Sequence, residues 1–528
     1  MTTANYDAIV IGGGHNGLVN AAYLAKSGLD VVVLERRHLV GGAAITEELH
    51  PGFHFTTFSY AISLLRPDIV HDLDLVKHGM LVLPMPTSFT PTADGDYLYL
   101  GPDSETNYHE IARHSKKDAE RYHEFSNLMD RVCHAVKPLL DEIPPNVLSQ
   151  DPEELLRMAT LGSHLRSLDP EVMHMLVRLL SGSSAEILDD YFESDVLKAS
   201  IASSSIIGSK VGPRSQGSGL VLLFHKLGEV DGVFGEWGFH KGGNGGFTQA
   251  VARSAQSFGA EIRLDAGVSK VITKAGEAVG VALESGEEIY AGTVVSALDP
   301  RRTFLQFVEP AELPSDLVQS IEAFKFQGTS AKVNFALDGP PRHPALGDRT
   351  DMLRGFINIG PSLDYLERAF DDAKYGNYSR RPYIDGCVQS LVDPDMSPPG
   401  KHVMSCFVQY APYELAESDW DTERDAFGDT VQATMEAAFP GFGDLVLHRE
   451  VVTPLDIERK VGLSEGNIFA GEFLSPQMFF FRPAPGWNQY RTPIKGYYQC
   501  GSGTHPGGCV MGAPGRLAAR QILGDSTP

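Results

Sequence analysis

The hydrophobic pattern is densest near the N-terminus. DAIVI (Asp7 to Ile11) is a short apolar, β-branched run, as in a strand buried on both faces of a parallel sheet. Glycines follow at 12, 14 and 17. NGLVNAAYLAKSG then repeats apolar residues at helical spacing up to Gly28, a natural C-terminal stop. DVVVLE is a second buried-type strand ending at Glu35. Further on, GGNGGFTQAVARSAQSFG (Gly242 to Gly259) predicts a Gly-rich loop opening an amphipathic helix. From Gly259 to Pro300, short alternating stretches break at KAGE and ESGE. They predict a meander followed by a buried strand, TVVSAL. A last block runs from GNIFAGEF to the C-terminus, with GYYQC as a short strand and GRLAARQIL as a helix.

Between these blocks the pattern changes. About 70–240 and 300–460 carry longer helical stretches, such as SETNYHEIARHSKKDAERYHEFSNLMDRVCHAV, and aromatic, Pro-rich loops. The expected fold class is α/β: a Rossmann-type nucleotide-binding domain with an interleaved α+β substrate domain. The first takes residues 1–70, 240–300 and 460–528; the second takes 71–239 and 301–459, with helical and lid segments. Two stretches, 201–218 (IASSSIIGSKVGPRSQGS) and 371–383 (DDAKYGNYSRRPY), read as mobile loops or lids.

Composition narrows the function classes. A chain of 528 residues exceeds one ordinary core, which fits two domains. The formal net charge of −24 and the lack of a basic stripe argue against nucleic acid and against tight docking on anionic lipid. Five cysteines without CxxC or zinc spacing fit a reducing compartment. The pair His50/His54 is interrupted by Pro-Gly, so no metal is expected. No apolar run reaches membrane-spanning length, and a strand beginning within ten residues of Met1 leaves little room for a leader. The expectation is a soluble, cytoplasmic protein, with peripheral membrane contact left open and no oligomeric state assigned.

The chemistry starts at the glycines. Gly12 permits a tight turn off the strand, Gly14 lets the backbone approach a pyrophosphate, and Gly17 lets helix and strand pack closely. The helix N-terminus, at Asn16, offers N–H groups and partial positive charge. Glu35, eighteen residues past the third glycine, can accept hydrogen bonds from a ribose and would repel a 2′-phosphate. RRHLVGGAA follows at once. Its Arg36, Arg37, Gly41, Gly42 and Ala43 resemble the second fingerprint of the two-dinucleotide-binding-domain flavoproteins, where arginine and glycines continue the FAD site toward the ring.

With VIGGGHNGL, RRHLVGG, GEWGFHKGGNGGFTQAVA, FRPAPGWNQYRTPIKG and GSGTHPGGCVMGAPGR in order along the chain, the sequence resembles the phytoene-desaturase-type flavoproteins. It is most similar to the branch holding carotenoid desaturases, desaturase-like ketolases and pyridine-nucleotide-disulfide-oxidoreductase-domain-containing proteins. The resemblance implies non-covalent FAD and redox chemistry on a hydrophobic small molecule. It carries Val268 to the adenine, and Gly501, Gly503 and Thr504 to the ribityl–pyrophosphate chain. Gly508, Cys509, Val510 and Met511 are expected at the flavin ring, where a helix N-terminus stabilises negative charge. Two departures stand out. Ala470 occupies a position where relatives often have His, and Cys509 one where they have another small residue.

Loops beside these motifs supply the candidate catalytic residues Trp237, His240, Glu472, Tyr490 and His505. With no second nucleotide fingerprint, electrons are expected to leave to oxygen or a quinone. The leading reaction is desaturation, isomerisation or a related oxidation at C–C or C=C bonds of an isoprenoid or polyene. Amine oxidation at C–N is the alternative, and a structural FAD with a protein-binding role is a third reading.

Overall fold

The computed structural model describes residues 6–526, apart from 231 and 348. Two sheets dominate it. In the first, strands Glu261–Arg263, Val31–Leu34, Tyr6–Ile11, Glu288–Ser296 and Tyr497–Gln499 run parallel in that order. Every residue from Ala8 to Ile11 is buried, because both faces are covered. Ala8 and Val10 pack under the helices His15–Lys26, Gly245–Ser257 and Ala513–Ser526. Ile9 and Ile11 face the opposite core, beneath strands Val268–Lys274 and Glu277–Leu283.

The meander differs from its expected form in one respect. Its third strand and the buried run TVVSAL are one nine-residue strand, Glu288–Ser296. The first half pairs antiparallel with Glu277–Leu283, and the second half enters the parallel sheet beside Tyr6–Ile11. The halves meet at Gly292 without a break in the strand, which passes from one sheet environment into the other.

The second sheet is mainly antiparallel. Its central order is Val446–Val452, Ser330–Leu337, His402–Gln409, Tyr383–Cys387, Phe356–Ile359, continued by Ser88–Pro91 and Tyr97–Leu100. One face packs on Trp420–Ala438 around Phe335, Val408, Phe427 and Met435. A helical layer closes the molecule over 104–226, centred on Phe125, Leu179 and Leu223.

Of the two stretches expected to be mobile, 201–218 is largely buried, while 371–383 is anchored at Ser379 and leaves Tyr375 exposed. In 201–218 the serines satisfy each other: Ser184 Oγ lies 2.7 Å from Ser205 Oγ, and Ser218 Oγ donates to the Pro213 carbonyl at 3.1 Å. The buried Gln409 amide donates to the Ile206 and Ser209 carbonyls and accepts from Gly208 N–H. In 371–383, the buried Ser379 donates to the Ala369 carbonyl at 2.6 Å. Ser- and Gly-rich composition misleads in 201–218 because most of its polar groups are paired within the fold, Ser209 Oγ being the exception among the described residues. Among the described residues, no helix is long and apolar enough to cross a membrane.

Candidate functional site

The N- and C-terminal Gly-rich loops meet at one place. Asn16 Nδ2, on the first turn of the His15–Lys26 helix, donates to Ser502 Oγ at 3.1 Å across 486 positions. Gly12 turns with a φ of +97°, and a Cβ on Gly17 would stand 2.1 Å from the Gly12 carbonyl oxygen, so helix and strand touch there. The same close contact recurs between helices, where a Cβ on Gly515 would stand 2.2 Å from the Asn16 carbonyl oxygen.

From this junction a cavity of about 840 Å³ runs between the two sheets. One end is lined by Gly12, Gly14, Asn16, Glu35, Arg36, Arg37, Gly42, Ala43 and Val268. Glu35 is fixed there: Oε2 accepts from Gly13 N–H at 2.8 Å, and Oε1 from Arg37 N–H at 2.9 Å. Arg37 ties the strand end to the glycine pair through the Gly42 carbonyl, at 3.4 Å. The neighbouring Ala266 N–H donates to the Glu35 carbonyl at 2.8 Å, which brings Val268 to this end. From the C-terminal loop, Cys509 and Val510 line the cavity.

Several expected contacts stand one layer back. Gly17 and Gly41 are packed behind the cavity; a Cβ on Gly41 would meet the Ala44 carbonyl at 2.6 Å. Gly501 and Gly503 press on Leu298 and Pro300, and Gly508 on Phe469. Thr504 caps its own loop by donating to the Gly501 carbonyl at 2.8 Å, and Met511 is fully buried. These residues shape the loop, while Ser502, Cys509 and Val510 reach the cavity.

Of the five candidate catalytic residues, only Trp237 lines the cavity. His505 stands off the lining: its Nε2 bonds the Leu139 carbonyl at 3.0 Å, its Nδ1 has no partner among the described residues, and burial pushes its pKa down to about 4, which keeps it neutral. Tyr490 is fully buried and donates to the His505 carbonyl at 2.9 Å. His240 spans the carbonyls of Lys241 and Gly79. Glu472 lies outside the lining, with burial raising its carboxyl pKa. All four come from motifs beside the site that hold its walls.

The sequence reading missed the polar side chains of the far end. Lys332, from the wholly buried strand Ser330–Leu337, and Asp385, from Tyr383–Cys387, both line the cavity. Lys332 Nζ donates to Ser405 Oγ and stands 4.2 Å from the Tyr60 ring centroid. Tyr60 OH donates to Asp385 Oδ2 at 2.5 Å. Burial pushes Asp385 up to about 7 and Lys332 down to about 8. The signal was a lysine and an aspartate inside apolar strands, where an unserved charge costs several kcal/mol, roughly.

An aromatic arc joins the two ends. Ring centroids run from Phe407 to Tyr60 (6.0 Å), Phe356 (6.3 Å), Trp237 (6.4 Å), His225 (5.9 Å) and Phe469 (6.1 Å), and all six residues line the cavity. Burial holds His225 near a pKa of about 4, hence neutral. Behind Phe469, the fully buried Arg482 donates to the carbonyls of Phe469, Gly471, Glu472, Gln477 and Ser502, so its charge is met by backbone dipoles.

The first end fits FAD. Space is open beyond the Gly14 Cα, where a Cβ would meet no atom within 4 Å, at the N-terminus of a twelve-residue helix. His15 Nε2 and Asn16 Oδ1 are buried there without partners among the described residues. Glu35 presents the acceptor that a ribose needs, and the cavity continues from it past Cys509 to the aromatic arc.

Comparison with known proteins agrees. The family described as flavin-containing amine oxidoreductase matches residues 17–523. The rat pyridine nucleotide-disulfide oxidoreductase domain-containing protein 2 is 41% identical over 98% of this chain and 94% of its own length. A limonene dehydrogenase chain of Castellaniella defragrans is 26% identical over 98% and 94%. The lycopene-forming phytoene desaturase of a Paracoccus strain is 23% identical over 98% and 97%. Among solved structures, an oxidoreductase from Methanosarcina mazei superposes with a TM-score of 0.61 at 18% identity, covering 98% and 99% of the two chains. A putrescine oxidase bound to putrescine gives 0.59 at 16%, covering 99% of each. At such identities these structures establish the fold alone. The chain belongs to the flavin-containing amine oxidoreductase family, and it is an FAD-dependent oxidoreductase.

Proposed function

We propose that this oxidoreductase acts on C–C and C=C bonds of a hydrophobic, isoprenoid- or polyene-like molecule, by desaturation, isomerisation or a related oxidation. The observation that carries this reading is the filled face of Tyr60. An amine substrate wants an aromatic face for its cation, and here the Lys332 ammonium already occupies that face at 4.2 Å. A second cation there would meet like charge. The rest of the arc offers flat apolar surface for a planar unsaturated chain. The limonene dehydrogenase and the phytoene desaturase, by their names, act on such molecules.

FAD, when bound, supplies the acceptor for a hydride at N5. The chain's residues do the positioning. Gly14, Asn16 and Glu35 hold the nucleotide, and Trp237, Phe356 and Phe407 orient the apolar substrate while excluding water. The neutral His225 adds no charge to that wall. Reoxidation is assigned to oxygen or a quinone.

Turnover with product analysis tests the reading. The holoenzyme is incubated with isoprenoids and amines in the presence of a soluble quinone. Products short of two hydrogens, or isomerised, at unchanged carbon and nitrogen count support it. Ammonia and an aldehyde formed from the amines, with isoprenoids unchanged, overturn it.

A further inference from the structure

Lys332, Phe407, Asp385 and Asn358 form one row across four neighbouring strands, each directly opposite the next. All four line the cavity. Residues opposite one another in antiparallel strands project from the same face, so the row is a polar strip set into an aromatic wall. Lys332 is 2% exposed and Asp385 8%.

The hydrogen bonds of this strip are incompletely used. Tyr60 OH takes Asp385 Oδ2, but Asp385 Oδ1 has no partner among the described residues. Among the described residues Lys332 Nζ, a triple donor, makes one hydrogen bond, to Ser405 Oγ, which in turn donates to Asn334 Oδ1 at 2.9 Å. The two charged groups sit two strand spacings apart, roughly 10 Å at the backbone, on either side of Phe407, and the Tyr60 ring, stacked on Phe407, touches both.

The geometry points to a recognition site for a neutral oxygen-bearing group, a hydroxyl or a carbonyl, on an otherwise apolar substrate, held by Asp385 and Lys332 beside the Tyr60 ring. Each competing chemistry leaves a defect. A bare hydrocarbon covers the strip and leaves both polar groups unserved. A primary ammonium meets Lys332, and a carboxylate meets Asp385. With burial pushing Asp385 up to about 7 and Lys332 down to about 8, the strip offers both donor and acceptor near neutrality. The inference rests on the reading that the cavity takes an apolar substrate, and it narrows that substrate's class.

The test is binding to oxidised, anaerobic holoenzyme, read from perturbation of the flavin absorbance. The probes share one carbon skeleton: geraniol, geranylamine and 2,6-dimethyl-2,6-octadiene. Geraniol is expected to bind at least about tenfold more tightly than the hydrocarbon and the amine. Asp385→Leu is expected to bring geraniol within about twofold of the hydrocarbon. Equal binding of alcohol and hydrocarbon by the unaltered protein overturns the inference, as does tightest binding of the amine; neither outcome depends on a variant folding. Retained alcohol preference in a folded, flavin-loaded Asp385→Leu also overturns it. Alcohol preference without flavin reduction by any isoprenoid upholds this site and removes the proposed reaction. Reduction by isoprenoids without alcohol preference does the reverse.

Discussion

Lys332 and Asp385 share one face of the antiparallel sheet, on either side of Phe407 and each directly opposite it in the strand register. Each is buried, and each has its pKa moved toward neutrality by that burial. A lysine and an aspartate spaced by a phenylalanine in an apolar wall are a cost to the fold, and their use lies with what enters the cavity.

That cost is measurable through pH. The folded pKa of Asp385 is raised from 3.8 to about 7. Its contribution is therefore fully present below pH 3.8 and is lost as pH rises through 7. Asp385→Asn cannot ionise and escapes the loss. Melting curves at pH 5, 6.5 and 8 are expected to show the variant gaining on the unaltered protein as pH rises, by about 3 kcal/mol between pH 5 and pH 8. A gap constant across pH contradicts the burial assigned to this carboxylate.

Glu35 is held by Gly13 N–H and Arg37 N–H at the end of the cavity proposed for the nucleotide ribose. Glu35→Ala is expected to weaken FAD retention by about tenfold or more and, by leaving the Gly13 and Arg37 N–H groups bare, to cost the apoprotein about 1–3 kcal/mol. Flavin content after dialysis and calorimetric titration of apoprotein with FAD read this directly.

Arg482 joins the 469–478 segment to the C-terminal loop through five backbone carbonyls. Arg482→Met leaves those buried acceptors bare and is expected to cost about 3 kcal/mol or more, with loss of FAD. Arg482→Lys should recover only part, since an ammonium cannot reproduce the planar fork. Melting temperature and flavin occupancy of the two variants decide it.

Cys509 lines the cavity with a left-handed φ of +70°, and burial pushes its thiol pKa up to about 12. It is therefore a poor nucleophile at neutral pH. Cys509→Gly is expected to keep full flavin content and to gain up to about 1 kcal/mol, because glycine adopts that φ without strain. All FAD should separate from the denatured unaltered protein in mass spectrometry. FAD that stays on the peptide contradicts the assignment.

The nucleotide half of the site was legible because its chemistry is local. Turn, helix N-terminus and acid lie within thirty-odd residues, and each needs a particular residue type at a particular spacing, as Gly12, Gly14, Gly17 and Glu35 show. The substrate half was not, because it is written across strands. Lys332, Asp385 and Asn358 become neighbours only through the register of four strands, and nothing near Lys332 in sequence announces Asp385. The candidates His505, Tyr490, His240 and Glu472 stand outside the cavity lining for the opposite reason. They sit inside conspicuous motifs, and those motifs are conspicuous because they support the walls. The Ser-rich stretch 201–218 was misread because composition does not reveal that Ser184, Ser205 and Ser218 pair with one another and with nearby backbone.

Anaerobic reduction of the bound flavin tests the central claim most directly. The holoenzyme, free of oxygen, is mixed in turn with isoprenoid alcohols, the matching hydrocarbons, primary and secondary amines, and reduced nicotinamides, and the flavin absorbance is followed. Bleaching by isoprenoids, fastest with those bearing a hydroxyl or carbonyl, is the predicted result; bleaching by amines alone would contradict it.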